Sequence, residues 1–312
     1  MSPRPDDRVS GSGIAFAFAA YLLWGVLPVL FFALRDSGAV EIVSWRILLS
    51  LVFCSLIITV TRSWPKVVAI LRDRRTMLTL ALAAVLILVN WVVYVFASIS
   101  GHVVEASLGY FTNPIVTVLL GVFVLRERLR PLQWVALGLS AVAVLVIAIG
   151  YGSFPWIALA LAFSFGLYGL VKKRVGPKAD AVSGLAIETA VLAPAAGVAL
   201  LVVGLGSGLS IGALGPTHTG LMLTLGVATS VPLILFAAAA RRLPLVYLGL
   251  VQYVAPILQL IVGVVLLRED MPLERWIGFG IVWSALILLS LDMVLHARRQ
   301  RGSALPEATG AP

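Results

Sequence analysis

Long apolar runs, interrupted only by short polar connections, decide what this chain can become. Crossing a hydrocarbon core takes about 20 apolar residues at a rise of 1.5 Å each, and lipid-exposed backbone must satisfy its own hydrogen bonds, which a helix does. Such runs lie near 14–34, 42–61, 77–97, 104–125, 132–149, 154–171, 183–203, 219–239, 245–267 and 273–291. The sequence therefore predicts an all-α integral membrane protein with ten transmembrane helices. Composition leaves no soluble alternative. Only 12% of residues are charged and 61% are hydrophobic, whereas a water-soluble domain carries about 25% charged residues.

Charge placement checks the count. Nineteen of the 23 Lys and Arg residues fall in segments that ten spans and a cytoplasmic N-terminus place inside, from Arg4 and Arg8 to Arg298, Arg299 and Arg301. The outside loops hold Arg35, Arg268 and Arg275, and Arg46 lies within a span. This asymmetry follows the positive-inside rule with both termini cytoplasmic, and an odd number of spans would scramble it. The net charge of +9 is thus a topology signal rather than a basic face, and no nucleic acid is expected as a partner.

Residues 1–13 read as a polar cytoplasmic tail, followed by a retained first helix rather than a cleaved signal. Residues 298–312 read as a disordered cytoplasmic tail. The stretch from Gly204 to Gly212 reads as a flexible external loop, because it lacks the strand and Lys-Ser/Thr ending of a phosphate-binding loop. The segment Arg62–Arg75, with apolar residues between its charges, reads as a short interfacial helix. Cys54 is the only cysteine, which excludes an intramolecular disulfide and a thiolate metal site.

The chain also repeats itself. At an offset of 142 residues, Pro114 pairs with Pro256, Gly121 with Gly263 and Leu125-Arg126-Glu127 with Leu267-Arg268-Glu269. Trp134 and Gly138 then pair with Trp276 and Gly280 without a gap. The matched pieces are the fourth and fifth spans and the ninth and tenth. Five spans separate the copies, so they have opposite orientations. The expectation is two inverted five-helix repeats, 14–149 and 154–291, the architecture of alternating-access transport with a solute site near the midplane. Pro114 and Pro256 lie mid-span, where a missing backbone donor allows a hinge or simply a packing kink.

Several runs carry a family resemblance. Ala20-Tyr-Leu-Leu-Trp-Gly, Asn90-Trp-Val-Val-Tyr, Glu105-Ala-Ser-Leu-Gly-Tyr-Phe-Thr-Asn-Pro and Leu125-Arg-Glu-Arg resemble the RarD-type permeases, in the EamA group of the drug/metabolite transporter superfamily. Ala162-Phe-Ser-Phe-Gly-Leu-Tyr-Gly-Leu-Val, Ile187-Glu-Thr and Gln252-Tyr-Val-Ala-Pro extend the likeness, which covers about Gly13 to His296. The resemblance implies ten helices in two inverted repeats and a secondary transporter of the bacterial inner membrane, associated with chloramphenicol by name. Where the family carries a His-Arg pair in the second helix, this chain has Trp45-Arg46, so a His-mediated step does not carry over.

Ionisable groups inside spans cost about 2.5–3.5 kcal/mol on insertion scales, which makes each a candidate site. Arg46 and Glu105 are expected to meet across the outer half of a central cavity, with snorkelling or a structural ion pair as the plainer reading. Glu188 falls at the 142 offset from Arg46. The hypothesis is that Arg46 contacts an anionic or polar solute group, while Glu188 or Glu105 titrates with transport.

Trp24, Asn90, Trp91, Tyr94, Tyr110, Asn113, Tyr168, Gln252 and Tyr253 add aromatic walls and amides suited to an amphipathic organic solute. Taken singly, each also suits interhelical bonding. With no P-loop, no nucleophile–base pair and no metal-ligand spacing, neither an enzyme nor a cofactor is expected. The expected partners are a small-molecule solute, membrane lipid and a proton as coupling ion. The leading reading is a permease that exports metabolites or drug-like compounds. A lipid or lipid-linked sugar flippase, and an intramembrane enzyme or scaffold, stay open beside it.

Overall fold

The computed structural model describes residues 11–125, 131–151, 154–175, 178–240, 242 and 251–303, and every regular element among them is helical. In chain order these are α1 (Gly11–Ala33), α2 (Gly38–Val60), α3 (Trp64–Arg72), α4 (Arg74–Ile99), α5 (Val103–Leu125) and α6 (Pro131–Tyr151). They continue with α7 (Trp156–Val175), α8 (Ala181–Gly206), α9 (Pro216–Leu223), α10 (Leu225–Ala240), α11 (Val254–Ile261) and α12 (Leu273–Ser303). Among the described residues, six helical stretches are long and apolar enough to cross a membrane: Gly11–Ala33, Arg35–Val60, Arg74–Ile99, Ala181–Gly206, Pro216–Phe236 and Leu273–Asp292. Trp134–Val146, Trp156–Lys172 and Val254–Leu266 are shorter apolar helices.

The chain divides into two compact units, residues 1–113 with 156–270 and residues 114–155 with 271–312. In the first, α2 packs on α8 and α10, α4 on α7 and α8, and α1 on α10 and α11. Phe31, Ile42, Ile58, Leu80, Ile157, Leu161 and Leu225 are fully buried there. Val52, Leu56, Leu78, Leu201 and Leu205 stay exposed, as lipid-facing side chains of a membrane helix should. At Gly226 the backbones of α10 and α2 nearly touch, since a Cβ there would lie 2.6 Å from the Leu49 carbonyl oxygen. In the second unit α6 and α12 pack along each other, burying Ala136, Ala143, Phe279, Val282, Ala285 and Leu289.

Two spans begin with the same device. Asp73 caps α4 by accepting from the backbone N–H of Arg75 and Thr76, and Asp180 caps α8 by accepting from Val182 and Ser183. Each satisfies donors that the first helical turn leaves orphaned. Hydrogen bonds from Lys178 and Thr76 hold the Asp73 carboxyl well below the usual range. At Asp180 burial pushes the other way, but bonds from Ser183, aided by nearby Lys66, leave the carboxyl below its ordinary value of 3.8.

Four local expectations meet the structure. The segment expected to be an interfacial helix is helical as α3, with Val67 and Ile70 buried. The tail expected to be disordered from residue 298 is helical through Ser303. Arginine, which recurs in this stretch, is by composition a good helix former.

The span expected at 245–267 is interrupted. A turn at residues 252–253 precedes α11, and Val262–Leu266 is π-helical. Pro256 has no N–H to give the Gln252 carbonyl, and residues 243–250 lie outside the described ones.

The loop expected to be flexible is tied down. Ser210 N–H and Oγ each donate to Glu41 Oε1 at 2.9 Å, and Ile211 N–H adds a longer bond at 3.4 Å. Glu41 is only 2% exposed. A carboxylate so deeply buried needs donors, and the loop backbone supplies them.

Candidate functional site

Arg46 stands two turns into α2, and its residue is 4% exposed. Its Nε donates to Thr229 Oγ1 on α10 at 2.8 Å. The guanidinium lies 4.3 Å from the Trp91 ring centroid on α4 and 5.5 Å from that of Phe31 on α1. These faces supply cation–π attraction, which strengthens when water is excluded. No carboxylate of the described residues pairs with it, and Nη1 has no hydrogen-bond partner. One turn along the same face of α2, the buried Ser50 Oγ also lacks a partner. Buried polar atoms left open in this way are uncommon and call for an explanation.

An aromatic wall leads away from the cation. Phe31 and Tyr94 meet edge to face at 5.7 Å, Tyr94 and Tyr110 at 5.4 Å, and Tyr110 and Phe165 at 6.1 Å. Phe165 then meets Tyr168 at 6.0 Å. Asn90 braces the wall from behind. Its Nδ2 donates to Leu161 O at 3.3 Å and Ser164 Oγ at 3.2 Å on α7, and its Oδ1 accepts from Tyr110 Oη at 3.1 Å. Those bonds join α4, α5 and α7, so Asn90 positions aromatic rings rather than offering open hydrogen-bonding atoms.

At the far end of the wall stands Glu188, with no exposed surface. Its Oε2 accepts from Tyr168 Oη at 3.1 Å, and its Oε1 accepts from Lys172 Nζ at 2.6 Å. Gly184, one turn earlier on α8, makes room for that lysine, because a Cβ there would fall 2.8 Å from Lys172 Nζ. The arrangement thus sets a buried cation without a carboxylate at one end of an aromatic wall and a paired carboxylate at the other.

Trp24 joins the site through its backbone. Pro28, four residues later, has no N–H to donate to the Trp24 carbonyl. Tyr94 Oη and Gln259 Nε2 reach that oxygen instead, at 3.5 and 3.4 Å. Both bonds are long and correspondingly weak. The Trp24 ring packs against Tyr21 and Phe236.

Other candidates are placed elsewhere. Glu105 does not pair with Arg46. Its Oε1 accepts from Ile157 N–H at 3.1 Å, at the start of α7. A carboxylate is stabilised there by the free donors and the positive end of the dipole. Asn113 lies in α5 beside Pro114, at the point where the two units divide. Gln252 and Tyr253 occupy the turn before α11, and Pro256 is buried within α11.

Sequence reasoning missed Lys172, Thr229, Phe31 and Phe165. Lys172 looks like one more cation flanking a span, and a hydroxyl or phenyl group among apolar residues gives no signal of its own.

Comparison with known proteins agrees with the helical architecture. Residues 11–149 and 154–291 each match the EamA-like transporter family. The chain is 46% identical over 305 residues to Protein RarD of Streptomyces exfoliatus, covering 96% of both chains. It is 38% identical over 303 residues to an uncharacterized transporter of Vibrio cholerae, covering 96% of this chain and 99% of that one. A crystal structure that is 17% identical shares the fold, with a TM-score of 0.57 over 90% of this chain and 98% of the other. With both halves matched, this multi-pass membrane protein belongs to the EamA-like transporter family.

Proposed function

We propose that the protein is a secondary transporter that exports small amphipathic metabolites or drug-like solutes by alternating access, with a proton as the coupling ion. It works as ten helices in two inverted five-helix repeats. It resides in a bacterial inner membrane with both termini cytoplasmic. The sequence repeat at offset 142 supports this reading, as does a paired packing pattern. The offset maps α1 onto α7 and α10 onto α4, and both α1–α10 and α4–α7 are packed pairs. Opposed repeats of this kind can exchange which side is open around a fixed site.

Arg46 is the observation that carries the proposal. A buried guanidinium with an open donor and no carboxylate calls for an anionic or polar solute group. Trp91, Phe31, Tyr94 and Tyr110 then accept the solute's apolar body. Glu188, held by Lys172 and Tyr168, is the candidate for proton coupling. Glu105 is assigned to holding α7, with a smaller part in transport.

The test is uptake by proteoliposomes across a panel of amino acids, other metabolites and amphenicols, with and without a pH gradient. Saturable uptake is expected, abolished by Arg46→Ala and made independent of the gradient by Glu188→Gln. Full transport in Arg46→Ala, Glu105→Gln and Glu188→Gln alike would sink the assignment of the site. A folded protein that moves nothing from the panel yet keeps lipid tightly bound would favour the flippase reading instead.

A further inference from the structure

The end of the first unit at which α4 begins is unusually basic. Lys66, Arg72, Arg74, Arg75 and Lys178 are all exposed there, beside the carboxylates Asp73 and Asp180. Asp73 is already engaged by Lys178 at 2.6 Å. The first turn of α4 holds Arg74 and Arg75 and no acidic residue. That turn is the positive end of the helix dipole, which the Asp73 cap answers, while Arg74 and Arg75 add two exposed cations to it. No carboxylate of the described residues pairs with Arg75.

A groove of about 620 Å³ opens beside these cations, between α4 and α7. Arg75, Thr79 and Lys178 line it together with Leu78, Leu82 and Val171. From Arg75 to Leu82 is about 10 Å along α4, at 1.5 Å per residue. Leu78 is 73% exposed and Leu82 52% exposed, so the groove is open on the side of those two leucines. Its polar end offers the Arg75 guanidinium and the Lys178 ammonium, the latter shared with Asp73, and its remaining length is lined mostly by apolar side chains, with Thr76 and Thr79 among them. The hydroxyl of Thr79 donates to Arg75 O at 2.7 Å, so it adds no free donor.

We infer that this groove is a resident site for a phospholipid with an anionic headgroup. The phosphate sits at Arg75 and Lys178, and an acyl chain runs along Leu78, Leu82 and Val171. Charge complementarity selects this occupant. A free phosphate ion would leave the apolar walls uncovered, and a zwitterionic lipid would bring its own cation toward Arg75. Each basic side chain near an anionic lipid surface contributes about a fivefold preference.

The site is tested by counting lipids that stay with the protein in native mass spectrometry. The protein is released from bilayers of phosphatidylglycerol and phosphatidylcholine with identical acyl chains. Wild type is expected to retain the anionic lipid preferentially, and Arg75→Gln to cut that preference about fivefold. Leu82→Trp, which fills the apolar part, should reduce retention of both lipids. Arg72→Gln removes a cation of α3 that does not line the groove, and should lower the preference clearly less than Arg75→Gln does.

Equal retention of the two lipids overturns the proposal. So does an Arg72→Gln loss as large as that of Arg75→Gln, which would mean diffuse surface charge. Displacement by added inorganic phosphate with Leu82→Trp silent would reassign the site to a phosphate ion. Arg75 and Leu82 are both exposed, so the variants are expected to fold, and unchanged thermal unfolding checks this. Lipid counting does not depend on solute transport, so this inference and the transport reading fail separately.

Discussion

The Lys172–Glu188 pair makes an asymmetric prediction. The Lys172 side chain is 27% exposed and that of Glu188 is 1% exposed. Replacing lysine in Lys172→Met leaves the carboxylate buried with only the Tyr168 hydroxyl bond at 3.1 Å. Breaking a buried pair from one side costs about 3–5 kcal/mol. Screening at the lysine, about a quarter exposed, reduces this to about 2–3 kcal/mol.

Glu188→Gln should cost less, about 1 kcal/mol, because the freed ammonium can swing toward water while glutamine keeps an acceptor for Tyr168. The double variant no longer contains a buried charge, so it should be close to Glu188→Gln and more stable than Lys172→Met. Equilibrium unfolding in mixed micelles, followed by circular dichroism, measures all three. If Lys172→Met costs no more than Glu188→Gln, or if the double variant is the sum of the singles, the carboxylate does not depend on the lysine and the reasoning fails. Gly184→Ala probes the same bond by crowding Nζ. It should give a smaller loss, since the tip of a lysine can shift.

Three further outcomes follow from named contacts. Gly226→Ala sets a methyl group 2.6 Å from the Leu49 carbonyl oxygen, and should lower stability by about 1–3 kcal/mol as α10 is pushed from α2. Asp180→Ala removes the α8 cap and should cost about 1 kcal/mol. The Asp180 carboxyl lies below 3.8 in the folded protein. Its stabilisation is therefore full above that pH and lost as pH falls through the lower folded value, so acid unfolding curves of wild type and variant should converge. Glu269 shows the reverse sign, because burial raises it above 4.5 despite bonds from the N–H groups of Val104 and Val103. Its contribution should decline as pH rises from 4.5 through the raised value, and Glu269→Gln should flatten that decline in thermal unfolding.

Six of the expected spans were legible among the described residues, because the hydrocarbon core demands a run of about 20 apolar residues from any helix that crosses it. The short helix α3 was legible for a different reason, since apolar residues interleave with its charges. Contacts between distant segments were not. Glu105 reads as an intramembrane acid that should seek Arg46, yet it holds the first turn of α7 through Ile157, 52 residues away. Lys172 reads as a topology signal, and only the space left at Gly184 shows that its chain passes inward to Glu188. Arg46 stood out because a cation in a span is costly whatever its surroundings. Its partner Thr229 did not, because a threonine in a membrane helix usually bonds its own backbone, as Thr229 also does to Leu225 O at 2.8 Å.

The carbonyl of Trp24 has a consequence for how motion is shared. One oxygen receives two donors from different helices, Tyr94 on α4 and Gln259 on α11. A carbonyl oxygen has two lone pairs, so when one donor withdraws the other still satisfies it. The oxygen thus acts as a junction at which two helices trade one interaction without leaving a polar atom bare. Because Pro28 supplies no ladder donor, both acceptor sites of that oxygen are open to neighbouring helices, whereas a fully bonded α1 would have only one to share.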